Sequence, residues 1–185
     1  MNDRANNIIL LMSVFVMALC GLVYELLAGT LSSYLLGDSI TQFSLVIGLF
    51  LTSMGIGSFL SRLIHKELLA KFILVEIFTG LIGGTTALIA FAAFAFTEIY
   101  LPVLFTLILI TGTLIGLEIP LMIRILRKLD SLRVSVANVL SVDYLGALVA
   151  AVAFPFLLLP QLGLIRAGAV MGLANVLVAL LLTLR

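Results

Sequence analysis

Five ionisable residues, Glu25, Glu76, Glu118, Asp143 and Arg166, stand inside otherwise apolar stretches of this 185-residue chain. An acid deep in a membrane helix costs at least ~2.5 kcal/mol on insertion scales, so it normally faces a bundle interior, a partner or a water-filled cavity. Glu76 follows Lys71 by five positions, Glu118 precedes Arg124 by six, and Asp143 follows Arg133 by ten. At a helical rise of about 1.5 Å per residue, these three fall roughly 8 to 15 Å from one boundary. Three carboxylates at similar depth on three helices would form a cation-attracting vestibule, where a proton or an organic cation could share the site. Glu118 and Asp143 would hold the cation, with Glu76 assisting and the Tyr144 hydroxyl completing the set. The competing reading pairs each acid with a neighbouring Ser, Thr or Tyr, or with nearby Arg and Lys. The depth of Asp143 favours a ligand role. Glu25 and Arg166 fall near the far ends of the first and last apolar runs, where an ion pair would join those helices, as structure or as a gate.

Other chemistries lack their residues. The only histidine, His65, sits in a basic connection, which leaves no His-based metal or haem ligation and no Ser/His/Asp set. One cysteine, Cys20, cannot build a disulfide framework or a cysteine metal site. No phosphate-cradling loop occurs, and Gly55-Ile56-Gly57 lacks the remainder of a dinucleotide fingerprint. The chain is therefore expected to carry no catalytic residue, no metal and no cofactor. A net charge of +1 argues against nucleic acid as a partner.

The elements that position these acids are long and apolar. Hydrophobic residues make up 63% of the chain and charged ones 10%, with a mean hydropathy of +1.36. A soluble domain carries roughly 25% charged residues, so the expected partner is the lipid bilayer. Apolar runs at Ile8 to Ala28, Phe43 to Ile64, Leu68 to Phe96, Leu101 to Ile123, Val134 to Leu159 and Leu164 to Leu184 suit helices rather than barrel strands. The fold class is thus all-α: a polytopic transmembrane bundle of about six helices, one domain over residues 1–185. Turn signals stand at Gly37-Asp38-Ser39 and Pro160-Gln161-Leu162-Gly163. The first run is long for a signal sequence and lacks a convincing cleavage site, so it reads as a retained helix.

With the N-terminus inside, Arg4, Arg62, Lys66, Lys71, Arg124, Arg127, Lys128, Arg133 and Arg185 fall on the inner side, against Arg166 alone outside. That asymmetry predicts both termini in the cytoplasm of a multi-pass inner-membrane protein. Small residues four apart recur at Ser53/Gly57/Ser61, Gly80/Gly84, Gly112/Gly116, Gly146/Ala150 and Gly168/Gly172, a pattern that lets helix backbones approach closely. They point to one compact bundle, which can act alone or as a homo-oligomer. Pro120, two residues beyond Glu118, and Pro155, beyond Asp143, would break their helices and free carbonyls beside the acids.

Several motifs occur together in order: Leu22-Val23-Tyr24-Glu25-Leu26, Leu36-Gly37-Asp38-Ser39, and Phe50-Leu51-Thr52-Ser53-Met54-Gly55-Ile56-Gly57-Ser58. They are followed by Glu118-Ile119-Pro120-Leu121, Asp143-Tyr144-Leu145-Gly146-Ala147-Leu148 and Phe154-Pro155 through Leu164. This series resembles the N-terminal membrane domain of membrane-bound polyamine aminopropyltransferases, the spermidine synthase-like, transporter-fused family. The resemblance implies a membrane module tied to polyamine chemistry, with Glu25, Glu118 and Asp143 among the matched acids. It also implies a cytosolic aminopropyltransferase domain or subunit as partner. The residues of that domain are absent before Arg185, so no enzyme activity is expected of this chain itself, whether it is the membrane domain of a longer protein or a stand-alone relative. Two functions follow: binding or transport of a small cationic solute, a polyamine, at a cytoplasm-facing acidic vestibule, or a structural anchor that tethers a catalytic partner without transport.

Overall fold

A computed structural model describes residues 3–127, 129 and 131–184, with side chains from residue 6 onward. Of the bases counted above, Lys128, Arg185 and the side chain of Arg4 lie outside the described residues. The described chain is helical almost throughout, as α1 (Asp3–Leu36), α2 (Ser39–Ser61), α3 (Leu68–Phe96), α4 (Tyr100–Leu126), α5 (Leu132–Ala153), a π-helical turn at Phe154–Leu158, and α6 (Leu159–Thr183). Its helices are long and apolar enough to cross a membrane, by length and composition. The six separate runs of the sequence appear as four separate helices and one 52-residue helical run, Leu132–Thr183.

Local chemistry sets the turns. Gly37 and Asp38 both adopt left-handed conformations (φ 73° and 43°), and the Asp38 carboxylate accepts from the Thr41 amide at 3.4 Å, which starts α2. The Ser131 hydroxyl accepts likewise from the Val134 amide at 3.4 Å and starts α5. Inside the 52-residue run, Gly163 has φ 69° and ψ 177°, a region essentially reserved for glycine. The chain reverses there. Gly146 lies against Phe15 and Ala18, then Gly168 against Leu27, and Cys20 against Met171, so α5 runs along α1 and the leg after Gly163 runs back. A Gly163→Ala substitution is expected to cost about 1–3 kcal/mol through backbone strain, read as a lower melting temperature.

Prolines act less than expected. α4 continues through Pro120 to Leu126, and the irregular π turn at Pro155 lies 11 residues beyond Asp143, so neither places a broken helix beside an acid. The π turn absorbs the hydrogen bond that Pro155 cannot donate.

Every small-residue pair sits at a helix contact. In α2 and α4, which run parallel, a Cβ on Gly57 would collide with the Thr113 carbonyl, and one on Gly112 would lie 2.7 Å from Ser53 Cβ. In the antiparallel pair α3 and the returning leg of α6, a Cβ on Gly84 would lie 2.9 Å from Gly172 Cα. Gly146 closes α5 onto α1, 2.5 Å from the Phe15 carbonyl by the same measure. Helix α1 touches all the others and forms the axis of the bundle. Around it lie two apolar cores. One holds Tyr24, Leu27, Leu31, Phe50, Leu104 and Ile108; the other holds Leu10, Val14, Phe72, Leu121, Leu126 and Val178. Buried Glu76 and Thr79 of α3, Glu118 of α4 and Asn175 of α6 fall between the two cores. The outward surface is strongly apolar, with Phe96, Ile40 and Phe156 each about four-fifths exposed (86%, 83% and 79%).

Candidate functional site

A half-enclosed cavity of about 120 Å³ lies among α1, α2, α4 and α5, and three carboxylates line it: Glu25 from α1, Glu118 from α4 and Asp143 from α5. Its remaining wall is apolar, including Met17, Leu22, Met54 and Ile115, and among the described residues no basic one faces it. At ~30 Å³ per water, the space matches about four waters, or the ammonium end of an alkylamine with a few methylenes. Glu118 is the deepest of the three at 2% exposure, while Glu25 and Asp143 are half-buried. The Thr79 hydroxyl donates to Glu118 Oε1 at 3.0 Å, so α3 holds the carboxylate from behind while α1 and α5 face it from the front. Low local dielectric strengthens any charge pairing made there. The described lining thus offers three acidic groups and no base.

Thr79 is expected to matter for stability. Thr79→Val removes the donor to a buried carboxylate at almost constant shape, at an expected cost of about 1–3 kcal/mol in denaturation measurements.

The sequence-derived set is partly redistributed. Glu118 and Asp143 both line the chamber. Glu76 does not line it. That residue is fully buried behind Glu118, on the α3 face that carries Thr79, and neither of its carboxylate oxygens has a hydrogen-bond partner. Tyr144 is corrected outright: it is 68% exposed on the outer face of α5, because one residue along a helix turns the side chain by about 100° from Asp143.

The ion pair expected between Glu25 and Arg166 is not formed. Helix α1 extends eight residues past Ala28 to Leu36, which places Glu25 in mid-helix, facing the chamber. Arg166 is exposed in a separate open groove of about 650 Å³ with Thr30 and Tyr34. Five residues of α1 separate Glu25 from Thr30, roughly 7.5 Å along the axis. Sequence reasoning missed Thr79 and Asn175. Thr79 stands three positions from Glu76, on the same helix face, and Asn175 is the one carboxamide of the last apolar run, so both carried a readable signal. Among the described residues no group of three or more His, Cys, Asp or Glu side chains could hold a metal ion.

The chain is similar to polyamine aminopropyltransferases. It is 48% identical over 171 residues to the polyamine aminopropyltransferase of Leptospira interrogans, covering 92% of this chain and 34% of that protein. It is 48% identical over 176 residues to polyamine aminopropyltransferase 2 of Ralstonia nicotianae, covering 94% and 34%. Polyamine aminopropyltransferase 1 of Streptomyces coelicolor is 39% identical over 176 residues, covering 94% and 33%. The chain therefore spans about a third of the length of the curated relatives it matches. No family model matches the chain, and no solved structure matches it.

Proposed function

We propose that this chain is a membrane-embedded, six-span module of a spermidine synthase-like protein, and that its carboxylate chamber binds the ammonium end of a polyamine. One observation carries the reading: Glu25, Glu118 and Asp143, from three helices, converge on one cavity with no base among its described lining residues. Embedding is supported by the apolar outward faces, whose Phe, Leu and Ile side chains would otherwise meet water. The reversal at Gly163 supplies the turn between a fifth and a sixth span. The described bases Arg62, Lys66, Lys71, Arg124, Arg127 and Arg133 lie at or near the bundle end that holds the α2–α3 and α4–α5 connections, opposite Arg166. On the positive-inside rule that end is cytoplasmic, in the inner membrane.

An alkylammonium suits the chamber on three counts. It supplies N–H donors to carboxylates, its methylenes fit the Met and Leu walls, and it offsets the local negative charge. The names of the relatives make polyamines the solute class of first choice. The test is a thermal-shift titration of the purified chain with putrescine, spermidine and spermine at matched ionic strength. Saturable stabilisation that weakens in Asp143→Asn supports the chamber. Stabilisation that follows ionic strength alone contradicts it.

A second reading, an anchor that tethers a cytosolic aminopropyltransferase domain or subunit without binding solute, is favoured by the extent of the similarity, a third of each enzyme. Under it, carboxylate substitutions alter melting temperature and leave amine titrations flat.

A further inference from the structure

Three buried polar side chains converge on one face of α3 with polar atoms that have no hydrogen-bond partner: Glu76 Oε1 and Oε2, the Tyr24 hydroxyl of α1, and both Asn175 side-chain atoms of α6. Each is at most 2% exposed. The face itself is Glu76, Thr79, Gly80 and Gly83, spaced three and four apart. The position of a Cβ on Gly80 is 3.1 Å from Asn175 Cβ, that of a Cβ on Gly83 is 2.8 Å from the Tyr24 ring, and Thr79 donates to Glu118. The absence of a Cβ at Gly80 and Gly83 is what lets the neighbouring helices bring these groups in. Cys20 and Tyr24 of α1 lie within electrostatic reach of both Glu76 and Glu118, and Asp143 of α5 within reach of Glu118.

Among the described residues no cation offsets these acids. Helix α2 has no titratable side chain, Lys71 of α3 is exposed and five residues from Glu76, and Arg124 of α4 donates to the Ser61 carbonyl at 3.0 Å. Arg166 is the one base of α6 and lies in the separate groove beside Thr30. Two buried carboxylates at one α3–α4 contact, Glu118 held by Thr79 and Glu76 three positions from Thr79 on the same face, cost several kcal/mol each without a counter-charge. One proton removes a charge and turns an acceptor into a donor that the other carboxylate can use.

We propose that Glu76 and Glu118 share one proton, and that an ammonium group entering the chamber at Glu118 displaces it, so that cation binding is exchanged for proton release. Glu118 is the hinge of the exchange, because it faces the chamber on one side and the Thr79–Glu76 face on the other. In the step, the carboxylic O–H bond breaks and the proton leaves through the chamber to bulk water. The freed carboxylate then pairs with the incoming ammonium. One positive charge enters and one leaves, so the buried layer keeps its net charge. The exchange rests on the amine reading above; the shared proton does not.

The test has two arms. Infrared difference spectroscopy of the detergent-purified wild-type chain at neutral pH is expected to show the C=O stretch of a protonated carboxylic acid, and Glu76→Gln is expected to remove it. Absence of that band from wild type overturns the shared proton and needs no variant that folds. Persistence of an undiminished band in Glu76→Gln also overturns it. Calorimetric titration with spermidine in two buffers of different ionisation enthalpy then counts protons. Release of about one proton per amine bound in wild type, lost in Glu76→Gln while binding persists, supports the exchange. Binding without proton release overturns the exchange. A flat titration with the band present refutes the amine reading and the exchange, and leaves the shared proton standing. Sodium-specific stabilisation of a wild-type chain that lacks the band assigns the site to a metal cation and overturns the proposal.

Discussion

Glu118→Gln is expected to weaken spermidine binding about 10- to 100-fold while leaving the fold intact. Gln keeps the carbonyl oxygen that accepts from Thr79, so the contact between α3 and α4 survives. What is lost is the charge facing the cavity. A hydrogen bond to a charged group contributes about 1.5–3 kcal/mol, and each 1.4 kcal/mol is tenfold in affinity. Asp143→Asn and Glu25→Gln are expected to show smaller losses, since both residues are half-buried and their charges better screened. Equilibrium dialysis of the three variants against spermidine, at fixed salt, gives the ranking. Equal affinity in wild type and Glu118→Gln would remove the deepest carboxylate from the site.

The second large effect concerns packing. Gly57→Ala is expected to destabilise the bundle by about 3 kcal/mol or more, because its Cβ would meet the Thr113 carbonyl and lie 3.0 Å from Gly116 Cα. Both obstacles are backbone, so no side-chain rotation relieves them, and α2 must move off α4. Gly48→Ala and Gly55→Ala in the same helix are the controls. Nothing lies within 4 Å of a Cβ at either position, so each is expected to be neutral or to stabilise by up to ~1 kcal/mol through helix propensity. Thermal unfolding followed by size-exclusion elution separates the cases. Similar melting temperatures for Gly57→Ala and Gly48→Ala would refute the close α2–α4 contact.

These glycines also mark how far the sequence could be read. Spacing of small residues identified the close-contact face on the five helices after α1, since a missing side chain is visible in the sequence. It did not identify the partner: that Gly57 meets Gly116 in parallel while Gly84 meets Gly172 in antiparallel depends on the arrangement of the whole bundle. Helix existence followed from apolar length, yet the length of α1 did not. Its eight residues beyond Ala28, including Ser32, Ser33 and Tyr34, lower the hydropathy without breaking the helix, and that error moved Glu25 from an end to the chamber.

Depth from the bases placed Glu118 and Asp143 at one level, because rise per residue is fixed by helix geometry. Azimuth was harder. Adjacent Asp143 and Tyr144 look alike in sequence and point different ways in the helix, and Glu76 shares the depth of Glu118 while facing away from the cavity. Gly163 was legible as a turn signal. The helical hydrogen bonding on either side of it was not, because Pro160 and Gly163 ordinarily end a helix.

The central claim is that the acidic chamber holds an organic cation. Direct equilibrium binding of labelled spermidine to the purified wild-type chain, at matched ionic strength and with unlabelled putrescine as competitor, tests it most directly. Saturable binding near one equivalent per chain, displaced by putrescine and sharply weakened in Glu118→Gln, is the predicted result. Binding that is non-saturable, or unchanged by Glu118→Gln, would contradict the account and leave the carboxylates as structural members of the bundle.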